Sequence, residues 1–250
     1  MPTRKTEGMA FTVMKRAETL HAIAFIDMLG STARIQSKGS EEALNSIYRV
    51  YDQMINVYCT GEISVENIKM RAFSDNIIIA RPIGDNEKEK AYGLNQMIAL
   101  AAGFQLCSLL NGWLSRGGIT IGKLFVDDVM VWGEGLVHAY QLESKSAIFP
   151  RIVIDKTALF SLLKNYPQSI HCWKMDLGLP IVDFLGMKMN NATGINLLLR
   201  GALDNILLPS EYDDRIVSKQ AWLIQYYNEW CSKNGFEHYK NGSTKQINDE

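Results

Sequence analysis

A chain of 250 residues with 47% hydrophobic side chains has the apolar material for a sizeable core, which excludes global disorder. Lysine plus arginine number 26 and aspartate plus glutamate 27, a net charge of −1, so the positive excess that bulk nucleic-acid or anionic-membrane binding needs is missing. The four cysteines (Cys59, Cys107, Cys172, Cys231) show no CxxC spacing, which points away from a zinc cluster or a disulfide framework and towards a reducing, cytoplasmic setting.

In chain order, residues 1–19 carry charges too regularly for a signal-peptide core and read as an N-terminal extension. No apolar run approaches the ~20 residues of a membrane-spanning helix. "HAIAFIDM" (21–28) is predicted to be a buried strand, ended by the turn-like "LGST". Ser40 and the acids behind it open a helix whose Leu44, Ile47, Tyr48, Tyr51, Met54, Ile55 and Tyr58 recur at helical spacing. "NIKMRAF" and "NIIIA" flank Ser74-Asp75-Asn76, a trio of turn formers, and predict a hairpin. Beyond the charged loop "GDNEKEK", residues 90–115 predict a long helix, "GGITIGKLFVD" and "VMVWG" two strands, "EGLVHAYQLESKSA" a helix after Gly133, and "RIVID" a strand. "WKMDLGLPIVDFLG" predicts another hairpin and "DDRIVSKQAWLIQYYNEWCSKNG" a C-terminal helix.

The order β-α-β-β-α-β-β-α-β predicts an α+β sandwich, one mixed sheet with helices mainly on one face. No repeat or linker interrupts it, so residues 20–235 read as one domain and 236–250 as a polar, frayed tail.

Two carboxylates end apolar runs, Asp27 in "AFIDMLGST" and Asp75 in "FSDNIIIA". If the first strand lies beside the hairpin, both converge on one point. Neighbouring carboxylates stay ionised only against a counter-charge, and hard oxygen donors suit Mg²⁺ or Mn²⁺. The turn after Asp27 offers small residues, hydroxyls and free N–H groups able to hold phosphate oxygens. Metal-binding acids beside a phosphate-holding turn describe a nucleoside triphosphate site. Either acid alone reads first as a turn cap or a hairpin tip; the pair carries the signal.

"FIDMLGST" resembles the F-x-D-x-x-G-[ST] motif of class III nucleotidyl cyclases, and "FSDNIIIA" sits where that family has its second metal-binding Asp. "RGGITIGKLF…VMVWGEGLVHAYQLES" is similar to the family's strand-hairpin-helix segment, with Gly133 and Glu143 in register, and the likeness spans about residues 20–155. The order of "FID-x-LG", "FSDN", "RGGI-x-IG", "AY-x-LE" and "PRI" resembles the pyrimidine cyclases of bacterial Pycsar anti-phage systems more closely still. The resemblance departs from purine cyclases in four places. Arg71 stands for the substrate-specifying Lys, Met130 for the adenine-reading Asp, and Val137 and Gln141 for the transition-state Asn and Arg. A site built on hydrogen bonds to adenine loses much without those partners.

The resemblance implies a ferredoxin-like βαββαβ core and cyclisation of UTP, or of CTP, to cUMP or cCMP with pyrophosphate release. Two divalent ions, Mn²⁺ or Mg²⁺, would be held by Asp27, Asp75 and the Ile26 carbonyl. Phe25, Leu29, Gly30, Ser31 and Thr32 would surround the triphosphate. Arg71 is the candidate for reading the base, its planar donor fork suiting a pyrimidine carbonyl, and a strand-edge ion pair is its other reading. Tyr51, with Tyr48, is placed to shorten a base pocket, although both also fit an apolar stripe. Arg116 is a candidate phosphate-neutralising cation or a structural salt bridge, and His138 replaces nothing catalytic. A head-to-tail homodimer with sites at the interface, Arg71 coming from the second chain, and a separate effector that responds to the product are further implications; no nucleic acid or membrane partner is expected. The competing readings are an inactive nucleotide-binding module and a palm-type enzyme of another product class, the latter disfavoured by the absence of a GG[DE]EF hairpin.

Overall fold

The computed structural model describes residues 16–59, 67–187, 191–207 and 213–240. β1 (Thr19–Leu29) is buried on both faces: Ala22, Ala24, Ile26 and Met28 enter one apolar cluster and Ile23 and Phe25 the other. A strand covered on both sides needs no polar alternation, which is why it reads as a continuous apolar run. The two-residue period puts Asp27 on the Ile23–Phe25 face.

Gly30, at φ +83°, turns the chain into α1 (Ser31–Lys38), a short helix where only a turn was expected. α1 buries none of its side chains, so no amphipathic pattern announces it. α2 (Ser40–Cys59) starts at the expected serine with Glu41 and Glu42 in its first turn. It turns Ala43, Val50 and Met54 into the core and leaves Leu44, Tyr48 and Ile55 exposed, so the buried stripe is narrower than the apolar pattern implies.

β2 (Lys69–Phe73) and β3 (Asn76–Pro82) form the expected hairpin, with Ser74 at φ +56° in its turn. α3 (Glu87–Leu110) begins where the Asn86 side chain accepts from Glu89 N and stops short of residue 115, because Gly112 at φ +77° redirects the chain. It is long and apolar enough to cross a membrane, and most of it lies buried inside this fold. β4 (Leu114–Val126), β5 (Val131–Trp132), α4 (Glu134–Ser146) and β6 (Ile152–Ile154) follow as expected. α5 (Lys156–Leu163), capped by the Asp155 carboxylate on Thr157 N and Ala158 N, was not anticipated. The hairpin β7 (Trp173–Asp176) and β8 (Leu179–Val182) and the last helix, α7 (Asp214–Asn234), match expectation, while α6 (Ala192–Ile206) between them does not. The expected polar tail lies, from residue 241 on, outside the described residues.

The sheet runs β2-β3-β1-β4-β6-β8-β7, with β5 on β4, and among these pairs β4 and β6 alone are parallel. The first four strands have the order that a βαββαβ unit produces, and the molecule is α+β with a mixed sheet. α2, α3, α5, α6 and α7 send their buried residues into one core. α4 covers the other face, where Ala139 meets Ile23, Ala80 and Leu124. It can lie there because β4 presents glycine: a Cβ on Gly118 would come within 2.2 Å of Ala139 O, and one on Gly122 within 2.6 Å of Gly135 Cα. The RGGITIG run is therefore a track for a helix.

Candidate functional site

Register brings the two acids together. Asp27 lies opposite Asn76 on β3, and Met28 N donates to Asp75 O at 2.9 Å, so the hairpin turn closes on the end of β1. Ser31, the first residue of α1, donates its hydroxyl to Asp75 Oδ2, and Asn76 Nδ2 lies 3.3 Å from Asp75 Oδ1. Asp27, Asp75, Gly30, Ser31 and Thr32 thus occupy one end of the central strands. The first turn of α1 carries no side-chain cap and no acid, leaving its N–H groups open to an anion.

The other side of Asp27 is occupied by a cation. Arg116 is its neighbour on β4, and Arg116 Nε donates to Asp27 Oδ2 at 3.1 Å. The same nitrogen lies 2.8 Å from Glu143 Oε1, an ion pair outside hydrogen-bond geometry. Glu143, on α4, has a side chain 3% exposed; burial pushes its carboxyl up, while Arg116 pulls it down. Half-buried Lys219 of α7 is close enough for its ammonium to feel Arg116 and Asp27, and burial, then Arg116, pulls it down. Lys219 makes no ion pair within 4 Å among the described residues. Sequence reasoning noted Glu143 only as a match in register and did not single out Lys219; both come from helices whose distance from Asp27 along the chain hides the contact.

Arg71 does not join the acids. It sits on β2, two strands from β1, and its Nε and Nη2 donate to Asp127 O at 3.0 and 2.9 Å. Nη2 also meets Asp128 Oδ1 at 2.6 Å, and Nη1 donates to Met70 O. The guanidinium therefore ties the β4–β5 turn over the sheet face. Asp127 in turn accepts from Val129 N and Met130 N, which hold its carboxyl below the usual range.

Tyr51 lies between α2 and α3, 6.2 Å from the Phe104 ring, with its hydroxyl buried and unpartnered among the described residues. Burial raises its pKa well above the usual phenol value. Phe25 packs edge-on against Tyr140 at 5.5 Å, and Leu29 pairs with Leu114. Met130 lies in the β4–β5 turn, and Val137 and Gln141 lie exposed, one turn apart, on α4. His138 Nδ1 stands 3.2 Å from Thr120 Oγ1 and 3.5 Å from Asp155 Oδ2, pinning α4 to the end of β6.

As a donor set, one carboxylate near the end of β1 and one in the neighbouring hairpin turn are both hard oxygen, which fits Mg²⁺ or Mn²⁺ and not a soft metal. Among the described residues no group of three or more His, Cys, Asp or Glu forms a closed cage. Asp27 and Asp75 are the residues that could hold such an ion; Ile26, expected to add its carbonyl, lies within the β1–β3 ladder opposite Ile77, where the carbonyl serves the sheet.

No family model matches the sequence, and no curated protein matches it. Among solved structures, the chain is similar to the monomeric guanylyl cyclase domain of the RhoGC fusion protein from the aquatic fungus Blastocladiella emersonii, at 13% identity and a TM-score of 0.45, over 67% of this chain and 98% of that one. It is also similar to a bacterial light-regulated adenylyl cyclase (12% identity, TM-score 0.45, 76% and 59% of the two chains). A third is a class III adenylyl cyclase-like ATP-binding protein from Pseudomonas aeruginosa (9% identity, TM-score 0.40, 61% and 37%). Likeness at this level assigns no activity.

Proposed function

We propose that this protein is a nucleotide cyclase acting on a pyrimidine nucleoside triphosphate, UTP in preference to CTP. One observation carries the reading: the β1–β3 register that sets Asp27 and Asp75 side by side, with the uncapped N-terminus of α1 against them. In the reaction the ribose 3′-oxygen bonds to the α-phosphorus, the bond to the bridging oxygen breaks, pyrophosphate leaves, and the hydroxyl proton is lost to solvent. The N–H groups of Ser31 and Thr32 hold phosphate oxygens and keep the triphosphate in one orientation, while the Ser31 hydroxyl stays on Asp75. Asp27 and Asp75 would hold the divalent ions, Mg²⁺ or Mn²⁺. When bound, these supply Lewis-acid activation and neutralise phosphate charge.

The homodimer belongs to the same proposal. Val129, Met130, Trp132, Val137 and Tyr140 are exposed on α4 and the β4–β5 ribbon, around the face that carries Phe25 and Arg71. Contiguous exposed apolar residues suit a protein partner, and a second copy would bring its Arg71 towards the base. Residues 20–235 form the catalytic unit in this reading. The product, cUMP or cCMP, is a cytoplasmic messenger for a separate effector in anti-phage defence. A second reading, a nucleotide-binding module without turnover, is favoured by Arg116 seated on Asp27 and by Val137 and Gln141 on the exposed side of α4.

Incubation with each of the four ribonucleoside triphosphates and Mn²⁺, followed by mass spectrometry, separates the readings. A cyclic pyrimidine monophosphate that disappears in Asp75→Ala is the expected outcome. No cyclic product from any triphosphate, with a working cyclase as control, would leave the binding module.

A further inference from the structure

Glu143 is a buried carboxylate facing a cation that already has a partner. Its Oε1 has no hydrogen-bond donor among the described residues, and Arg116 Nε lies 2.8 Å from it while donating to Asp27 Oδ2 at 3.1 Å. Arg116 is thus shared between a carboxylate in the acid pair and one sealed under α4. Their separation is fixed by the backbone, because α4 lies on the glycine track with Glu143 N 3.0 Å from where a Gly118 Cβ would stand.

We propose that Arg116 and Glu143 are positioning residues that set the divalent-cation affinity of Asp27. The inference rests on the metal reading of the acid pair. Asp27, Arg116 and Glu143 are two carboxylates and one guanidinium, so the trio as a whole carries one negative charge. Glu143 holds Arg116's charge in balance, which leaves Asp27 attractive to a cation and gives the guanidinium a place to rest when an ion takes the Asp27 oxygen. Without the Glu143 charge, Arg116 neutralises Asp27 alone and competes with the ion directly. With both charges gone, the site again carries the same net charge, and Asp27 no longer has a guanidinium seated on it; Lys219 stays beyond ion-pair distance in every variant.

That order of affinities is the test, and it needs neither nucleotide nor turnover. Mn²⁺ alone is titrated into the full chain, bound ion is read from the loss of the free-Mn²⁺ EPR signal, and thermal unfolding is followed alongside. Glu143→Gln is expected to weaken Mn²⁺ binding about tenfold or more, the usual effect of losing a partner behind a metal ligand. The double variant Arg116→Gln/Glu143→Gln is expected to bind at least as tightly as the wild type. Unchanged affinity in Glu143→Gln, or a double variant as weak as the single one, overturns the inference. Should Glu143→Gln fail to fold, Arg116→Gln answers instead: binding no weaker than wild type supports the inference, and weaker binding overturns it. A wild-type chain that takes up no Mn²⁺ sensitive to Asp75→Ala would remove the metal reading itself, a result distinct from either.

Discussion

Arg34 shows how one side chain holds a short helix in place. Its guanidinium lies 3.9 Å over the ring of Trp113, donates to Gly112 O, and reaches Ser46 Oγ at 3.5 Å. Trp113, 1% exposed, is itself fixed by Nε1 donating to Ser46 Oγ at 3.0 Å. Since α1 buries nothing, this clamp and the Ser31–Asp75 bond add to its packing on α2 in holding it beside the acids. A partly desolvated cation–π contact contributes about 1–2 kcal/mol, so Arg34→Ala should speed amide exchange in α1 roughly tenfold with little change in overall stability. Exchange confined to wild-type rates would mean that something other than Arg34 holds the helix. The acids were legible in the sequence because a charge at the end of an apolar run is conspicuous. Arg34 was not, because its partner at Gly112 lies 78 residues further on and a lone Arg in a short polar helix carries no signal.

Between elements, the decisive contact is α4 on β4. Gly118, Thr120 and Gly122 share the face of β4 turned towards α4, and the glycines let backbone meet backbone. Gly118→Ala would put a methyl group within 2.2 Å of Ala139 O and 2.6 Å of Leu142 Cβ. Overpacking of this kind costs about 1–3 kcal/mol, and urea unfolding should show a loss in that range, with Glu143 carried away from Arg116. A variant as stable as wild type would show that α4 has freedom to retreat. Elements with a clear period were legible: β1, the β2–β3 hairpin, α2, α3 and α7. Three helices were not. α1 has no buried face, α5 is eight residues long, and α6 carries exposed Leu197 and Leu198 beside buried Leu199, which blurs its stripe. α3 overran in the sequence reading because Asn111, Gly112 and Trp113 follow it without a proline to mark the stop.

Across the whole molecule, the sheet carries on past the βαββαβ unit through β6, β8 and β7, and buried charge ties the added part down. Arg151, 3% exposed, pairs with Asp176 at the end of β7, and Trp222 Nε1 of α7 donates to the same carboxylate oxygen at 3.0 Å. The "PRI" segment thus joins α4 and β6 to the C-terminal hairpin and helix. That arrangement brings α7, and Lys219 with it, to the acid end of β1, a placement no local pattern in the sequence could express. The fold class followed from element order; that Asp27 and Asp75 come close along the backbone followed from their places at the end of β1 and in the hairpin turn. Arg116 was expected as a phosphate cation or a salt-bridge residue; its sharing between Asp27 and Glu143, and the approach of Lys219, came only with the tertiary structure, since the three belong to three elements. The central claim, that Asp27 and Asp75 form one metal and nucleotide site, is tested most directly by an anomalous difference map from crystals grown with Mn²⁺ and a non-hydrolysable UTP analogue. The account predicts a manganese peak within coordination distance of both carboxylates, with the phosphates at the N-terminus of α1. Manganese and nucleotide bound together elsewhere, with Arg116 still seated on Asp27, would contradict it.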